Sequence, residues 1–121
     1  INRIKDKKQK YLLHGNLNST RTIMDVRDAM RAYFLAAKHC KIGEIYNIGS
    51  NYKINLKEFL KKLKKISKIN FKTKIDKNLM RKSDINYQIP NSKKFIHTTG
   101  WYPIININDS IKYLLSETRK L

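Results

Sequence analysis

The chain reads as a single α/β domain, and three observations predict it. Apolar residues recur at three- and four-residue steps over 26–37 and again over 56–66, each time just after a capping residue, which specifies amphipathic helices. Short β-branched or alternating runs at 11–14, 44–48 and 70–75 lie around them, most of them bounded by Gly, Asn or Ser. Strands and helices therefore alternate along the 121 residues, with no repeat and no long linker, which is the pattern of an α/β layer fold. A chain of this length buries one modest core.

Taken in order, Ile1-Asn2-Arg3-Ile4-Lys5 reads as the last turn of a helix cut from something longer, since the chain does not open on Met. Tyr11-Leu12-Leu13-His14 is a short strand, and Gly15-Asn16 with Asn18-Ser19-Thr20 supply turn chemistry. Asp25 caps the first long helix and Asp28 sits at its third position, both suited to the positive end of the helix dipole. Val26, Ala29, Met30, Tyr33, Ala36 and Ala37 form its apolar face; Lys38, His39 and Lys41 gather at its carboxyl end, with Gly43 beyond. Glu44-Ile45-Tyr46-Asn47-Ile48 predicts a strand stopped by Gly49-Ser50-Asn51.

Asn55, with Glu58 three residues on, resembles a capping box. The helix it starts sets Leu56, Phe59, Leu60, Leu63 and Ile66 on one side and Lys57, Lys61, Lys62, Lys64 and Lys65 on the other, read as a solvated face. Residues 70–75 alternate and predict a half-exposed strand; 80–85 read as extended. Asn91-Ser92-Lys93-Lys94-Phe95 begins a short helix that Gly100 ends. Trp101 and Pro103 pack the following turn, and Asn106, with Asp109 at the third position, caps a last helix that buries Ile107, Ile111, Leu114 and Leu115.

With 40% hydrophobic and 30% charged residues the chain is folded rather than disordered. No apolar run approaches the ~20 residues that cross a bilayer, so no membrane role is expected. The Lys- and Arg-rich first ten residues do not read as a signal peptide. The single Cys40 excludes an internal disulfide, and His14, His39 and His97 lack metal-ligand spacing; a reducing cytoplasm is the natural setting. The net charge of +18 raises the reading of a small basic nucleic-acid-binding module. Only six of the 27 basic residues are Arg, however, and the 21 Lys accompany 17 Ile and 12 Asn, which points to a compositional bias. A chain selected for phosphate-backbone contacts more often enriches Arg and interleaves aromatics, so nucleic-acid binding is the lesser reading.

The stretch Arg81-Lys82-Ser83-Asp84 carries the sharper signal. A guanidinium offers a planar fork of donors to phosphate oxygens, and a carboxylate three residues on accepts from paired hydroxyls such as those of a ribose. Arg21, far away in sequence, closes the other side of such a clamp for a nucleoside diphosphate.

Four pieces in order then resemble one family. Gly15-Asn16-Leu17 with Arg21 resembles a "GNL…R" element, and Asp25-Val26-Arg27-Asp28-Ala29 with Arg31-Ala32-Tyr33 a "DVRD…RAY" helix. Residues 43–50 resemble a "GEVYNIGSG" strand; Arg81 to Asp84, Asn91 to Lys94 and Thr99-Gly100-Trp101-Tyr102-Pro103 resemble "RPSD…DPSK…TGWEP". Together they span nearly the whole chain and resemble the carboxyl-terminal third of an extended short-chain dehydrogenase/reductase acting on nucleotide sugars. The wording is most similar to GDP-4-keto-6-deoxy-mannose reductases, with GDP-mannose 4,6-dehydratases and nucleotide-sugar epimerases close behind.

The resemblance implies the substrate-binding portion of an extended Rossmann-type enzyme, with residues 1–121 forming a nucleotide-sugar-binding region and most of the Rossmann core outside this chain. It implies that Arg21 and Arg81 grip the diphosphate and Asp84 holds the ribose, while Asn16 and Leu13 line the base pocket. It further implies NAD or NADP bound upstream, a possible homo-oligomer, and packing of the 25–39 helix and the 44–48 strand against the nucleotide-binding sheet. Thr22 stands where the family usually has Asp, Lys82 where it has Pro, Asn51 where it has Gly, and Asn91 where it has Asp. The first two remove an acid that orients a guanidinium and a proline that fixes the backbone. The base, and hence GDP over UDP or dTDP, stays open. The family also needs a Gly-rich turn for the dinucleotide phosphates and a Tyr and Lys four residues apart for proton transfer. None of the seven Tyr has Lys at the fourth place, and the four Gly make no such turn, so this chain is not expected to be active alone.

Overall fold

The structure is a computed structural model that describes residues 1–117. In chain order its elements are α1 (Asn2–Lys5), β1 (Tyr11–His14), β2 (Thr20–Thr22), α2 (Val26–His39), β3 (Lys53–Asn55), α3 (Leu56–Ser67), β4 (Lys72–Ile75), β5 (Tyr87–Gln88), α4 (Lys93–Thr99) and α5 (Ile107–Glu117), with a 3-10 turn at Lys77–Leu79. The strands form two small sheets. β1 pairs with β4 in parallel, Tyr11 opposite Lys72 and His14 opposite Ile75. β2 is the centre of the second sheet, antiparallel to β3 and parallel to β5.

Capping chemistry fixes the helix starts where the sequence places them. The Asp25 side chain accepts from Arg27 N–H and the Asn55 side chain from Lys57 N–H. Asn106 Oδ1 accepts from the N–H groups of Asn108 and Asp109. Gly100 ends α4 at φ 66, in the left-handed region that favours a residue without Cβ.

The core gathers where α2, α4 and the turn after α4 meet. Ala32, Phe95 and Trp101 are buried there, bordered by Leu35, Tyr46, Ile48 and Ile96. Phe95 stacks edge-on against both Tyr46 and Trp101, with ring centroids 6.3 and 5.7 Å apart. Beneath Trp101 lies Asp28, fully buried. Its Oδ2 accepts from the N–H groups of Ile104 and Ile105 at 3.1 and 2.9 Å, and its Oδ1 from Arg31, whose Nη2 also donates to Tyr102 O. Trp101 Nε1 donates to the Asp28 carbonyl at 3.2 Å. Asp28 is thus more than a helix-dipole partner: it ties α2 to the turn that the sequence writes 75 residues later.

Asp25 makes a second tie. Both of its carboxylate oxygens accept from the Arg27 guanidinium, at 2.8 and 2.9 Å, and that guanidinium lies 4.2 Å over the Tyr113 ring of α5. The side-chain hydrogen bond from Arg27 holds the Asp25 carboxyl well below the ordinary 3.8, against the opposing effect of burial. A group whose folded pKa is lowered adds stability above its unfolded pKa and loses it as pH falls toward the folded value. Stability is therefore expected to fall as pH drops below about 4, and Asp25→Asn, which keeps a capping oxygen, is expected to flatten that acid limb in urea titrations taken from pH 6 to 2.5. An unchanged acid slope would remove Asp25 from the account.

Several expectations are corrected. Residues 44–48 form no strand among the described residues: no backbone ladder reaches them, and β propensity is expressed only against a neighbouring strand. On α2, Val26, Met30 and Tyr33 of the expected apolar face are 61, 52 and 60% exposed, and only Ala36 of that set joins the core. Periodicity says that a stripe requires cover, not that the cover lies in the same chain. β4 is exposed on both faces, and Leu114 is exposed while Ile111 alone is fully buried on α5. Residues 80–85 bend at Lys82–Ser83 and lead into β5, which at two residues is too short for any periodicity to reveal.

Candidate functional site

Sheet pairing brings together residues that the sequence keeps far apart. Arg21 stands on the central β2, with Ile54 and Gln88 as its neighbours across the two ladders. Thr20 N–H donates to Asn86 O at 2.8 Å, so the chain entering β5 runs beside β2. That registers Asp84 against Arg21: Nη2 lies 3.4 Å from Asp84 Oδ1, while Nη1 donates to Thr20 O at 3.1 Å. The other Asp84 oxygen accepts from Asn16 Nδ2 at 2.8 Å. Asn16 is itself oriented, its Oδ1 accepting from Asn18 N–H in a local turn.

The first sheet supplies the opposite wall. Past the β1–β4 pair, Asp76 N–H donates to His14 O at 2.9 Å, and the Asp76 carboxylate caps the 3-10 turn through Asn78 N–H. That turn lays the Leu79 carbonyl against Gly15, where a Cβ would overlap it. Two residues on comes Arg81. The result is a hollow of about 230 Å³ bordered by Gly15, Asn16, Ser19, Arg21, Arg81 and Asp84, among others. Arg21 and Asp84 are each 21% exposed, half-buried and mutually neutralising. Arg81 is exposed and, among the described residues, has no hydrogen bond or ion pair. The hollow therefore presents one guanidinium already fixed and one free to take an anion.

A larger cavity of about 470 Å³ adjoins it, sharing Gly15 and Asn16. Apolar Leu17, Leu60 and Ile75 and the cationic Lys57, Lys61 and Lys64 line it, so part of the lysine face of α3 borders a cavity rather than open solvent alone. Of the five residues singled out from sequence, Asn16, Arg21, Arg81 and Asp84 meet in the smaller hollow. Leu13 borders neither cavity and is 45% exposed; its neighbour His14, on the opposite face of the strand, lines the larger one. Sequence reasoning missed Gly15 and Ser19. Ser19 lies in the loop just ahead of β2, where no periodicity signals which way its side chain turns.

A dinucleotide pyrophosphate finds no fitting cradle among the described residues. The longer helices open on Asp25, Asn55 and Asn106 and carry Asp28, Glu58 and Asp109 in their first turns, where a phosphate would meet like charge at an N-terminus without a Gly-rich turn. No helix of the described residues is long and apolar enough to cross a membrane.

Comparison with known proteins bears on this geometry. A family profile described as GDP-mannose 4,6 dehydratase matches residues 1–114. GDP-6-deoxy-D-mannose reductase of Pseudomonas aeruginosa is 29% identical over 104 residues, which are 85% of this chain and 34% of that protein. The human dTDP-D-glucose 4,6-dehydratase is 29% identical over 110 residues, 86% of this chain and 31% of its own. The chain thus spans about a third of the length of the curated relatives it matches. Among solved structures, that of RMD from Pseudomonas aeruginosa complexed with NADPH superposes with a TM-score of 0.83 at 28% identity, covering 97% of this chain and 39% of that one. The UDP-glucose 4-epimerase of Thermotoga maritima, with UDP-glucose, shares the fold at a TM-score of 0.79 and 24% identity, over 91% of this chain and 35% of its own.

Proposed function

The chain belongs to the GDP-mannose 4,6-dehydratase family, and from that premise we propose that it is the nucleotide-sugar-binding part of a longer NAD(P)-dependent reductase or dehydratase. Arg21 and Arg81 hold the diphosphate, from an anchored and an exposed guanidinium respectively. Asp84 keeps Arg21 and Asn16 in place and offers its remaining lone pairs to the ribose hydroxyls. The base enters the adjoining cavity beside Asn16 and His14, and Leu13 supports that wall from the far face of β1. NAD or NADP is held by the remainder of the protein, which also supplies the Tyr and Lys that move the proton. The open face of α2 is the surface on which that remainder packs. The whole enzyme works in the cytoplasm, where the unpaired Cys40 stays reduced.

The observation that carries this reading is that Arg81, without a partner among the described residues, borders the same hollow as the anchored Arg21. Calorimetric titration of the longer protein with GDP tests it. Arg81→Ala is expected to weaken GDP binding by about tenfold or more, the scale of a lost charge-assisted hydrogen bond, and the parent's affinity is expected to fall as salt rises. Equal affinity for GDP in the variant and the parent would sink the assignment.

A further inference from the structure

Ser19 is one of the most deeply buried polar residues of the fold, at 1% exposure. Its carbonyl accepts from Leu56 N–H, which fastens the start of α3 to the end of the loop before β2. Its hydroxyl, in contrast, has no hydrogen-bond partner among the described residues. The other buried hydroxyls are used: Ser50 Oγ accepts from Tyr52 N–H and Ser92 Oγ donates to Gly49 O. A buried hydroxyl left without a partner is a standing expense that folded proteins seldom keep without a use. Ser19 borders the hollow that Arg21, Arg81 and Asp84 border, and it is the loop residue just ahead of β2, two residues before Arg21.

Resting on the diphosphate reading of that hollow, we propose that the Ser19 hydroxyl is a third donor to the ligand, giving its hydrogen to a phosphate oxygen placed between the two guanidinium groups. The division of labour follows from the chemistry. Each guanidinium supplies charge and a planar fork, whereas a hydroxyl supplies one rotatable hydrogen at the floor of the hollow. A phosphate presents several acceptor oxygens and satisfies all three at once. A neutral hydroxyl adds no net charge, so its contribution discriminates by position and is insensitive to salt.

The test compares Ser19→Ala with the parent in the longer protein, using GDP, pyrophosphate and guanosine as probes. Ser19→Ala is expected to weaken GDP and pyrophosphate by about tenfold, to leave guanosine alone, and to keep or raise the thermal midpoint of the ligand-free protein, because an unpartnered hydroxyl is removed. Ser19→Cys, nearly isosteric with a weak donor, is expected to fall between the two. A lowered ligand-free midpoint in Ser19→Ala would mark the hydroxyl as structural and overturn the proposal. So would unchanged GDP affinity in Ser19→Ala beside a clear loss in Arg81→Ala, and that result would leave the diphosphate reading standing. If the parent protein itself fails to bind GDP and pyrophosphate, that reading falls and takes this one with it.

Discussion

Replacing Asp28 with Ala is expected to remove about 3–5 kcal/mol of folding stability, the range seen when one partner of a buried charged network is deleted. Three consequences add up. The N–H groups of Ile104 and Ile105 lose the acceptor they have among the described residues; both bonds are only part-buried, so water recovers some of the loss and each donor costs toward the lower end of about 1–3 kcal/mol. A void opens beneath Trp101, next to the edge-on aromatic stack. Arg31 loses its anchor, although that guanidinium is 41% exposed and recovers water, so its share is the smallest. Because a domain of this size has only about 5–15 kcal/mol of net stability, the urea midpoint should drop far enough to leave a measurable unfolded fraction in buffer. Asp28→Asn separates shape from charge. One amide oxygen still serves the two N–H groups, but the amide nitrogen then faces Arg31 donor to donor, so roughly half the loss is expected. A loss under about 1 kcal/mol for Asp28→Ala would mean that the 101–105 turn finds other partners.

Gly15→Ala is the second large effect, and it acts on the site. Its added Cβ would overlap the Leu79 carbonyl oxygen and lie 2.9 Å from the carbonyl carbon, and a backbone carbonyl cannot swing away as a side-chain tip does. The 3-10 turn must then shift as a unit. It is held by Asp76 at one end and leads to Arg81 at the other, so the displacement is delivered to the free guanidinium. We expect a stability loss of about 3 kcal/mol together with weaker GDP binding than Arg81→Ala alone produces, because Asn16 beside Gly15 is disturbed as well. Adding Arg81→Ala to Gly15→Ala should then bring little further loss of affinity, since the two act on one wall. Wild-type affinity in Gly15→Ala would show that the turn yields without moving Arg81.

Family membership was legible because four short motifs survive in order, and their survival has local causes now visible in the fold. Asp28 and the 99–105 turn belong to different motifs but to one hydrogen-bond network, so neither changes freely without the other. The departures from the family pattern fall where the structure has slack. Thr22 in place of an acid leaves Arg21 without a neighbour to orient it, and Asp84 takes that part from across the sheet. Asn91 in place of Asp still supplies a side-chain oxygen just ahead of α4, its Oδ1 accepting from Lys93 N–H while Ser92 holds the cap position.

By itself the sequence determined the local events: where helices start and stop, which residues cap them, and which guanidinium and carboxylate groups were available to a site. These depend on neighbours within four or five residues, and capping and periodicity report such neighbours directly. Only the tertiary structure decided which distant groups meet. The parallel β2–β5 ladder put Asp84 on Arg21, and the turn that brings Leu79 to Gly15 set Arg81 at the border of the same hollow. Burial left Ser19 without a partner, and the missing neighbour strand left 44–48 unpaired. Such outcomes follow from pairing across 50 to 70 residues, where strand propensity is silent about partners and a two-residue strand carries no pattern to read.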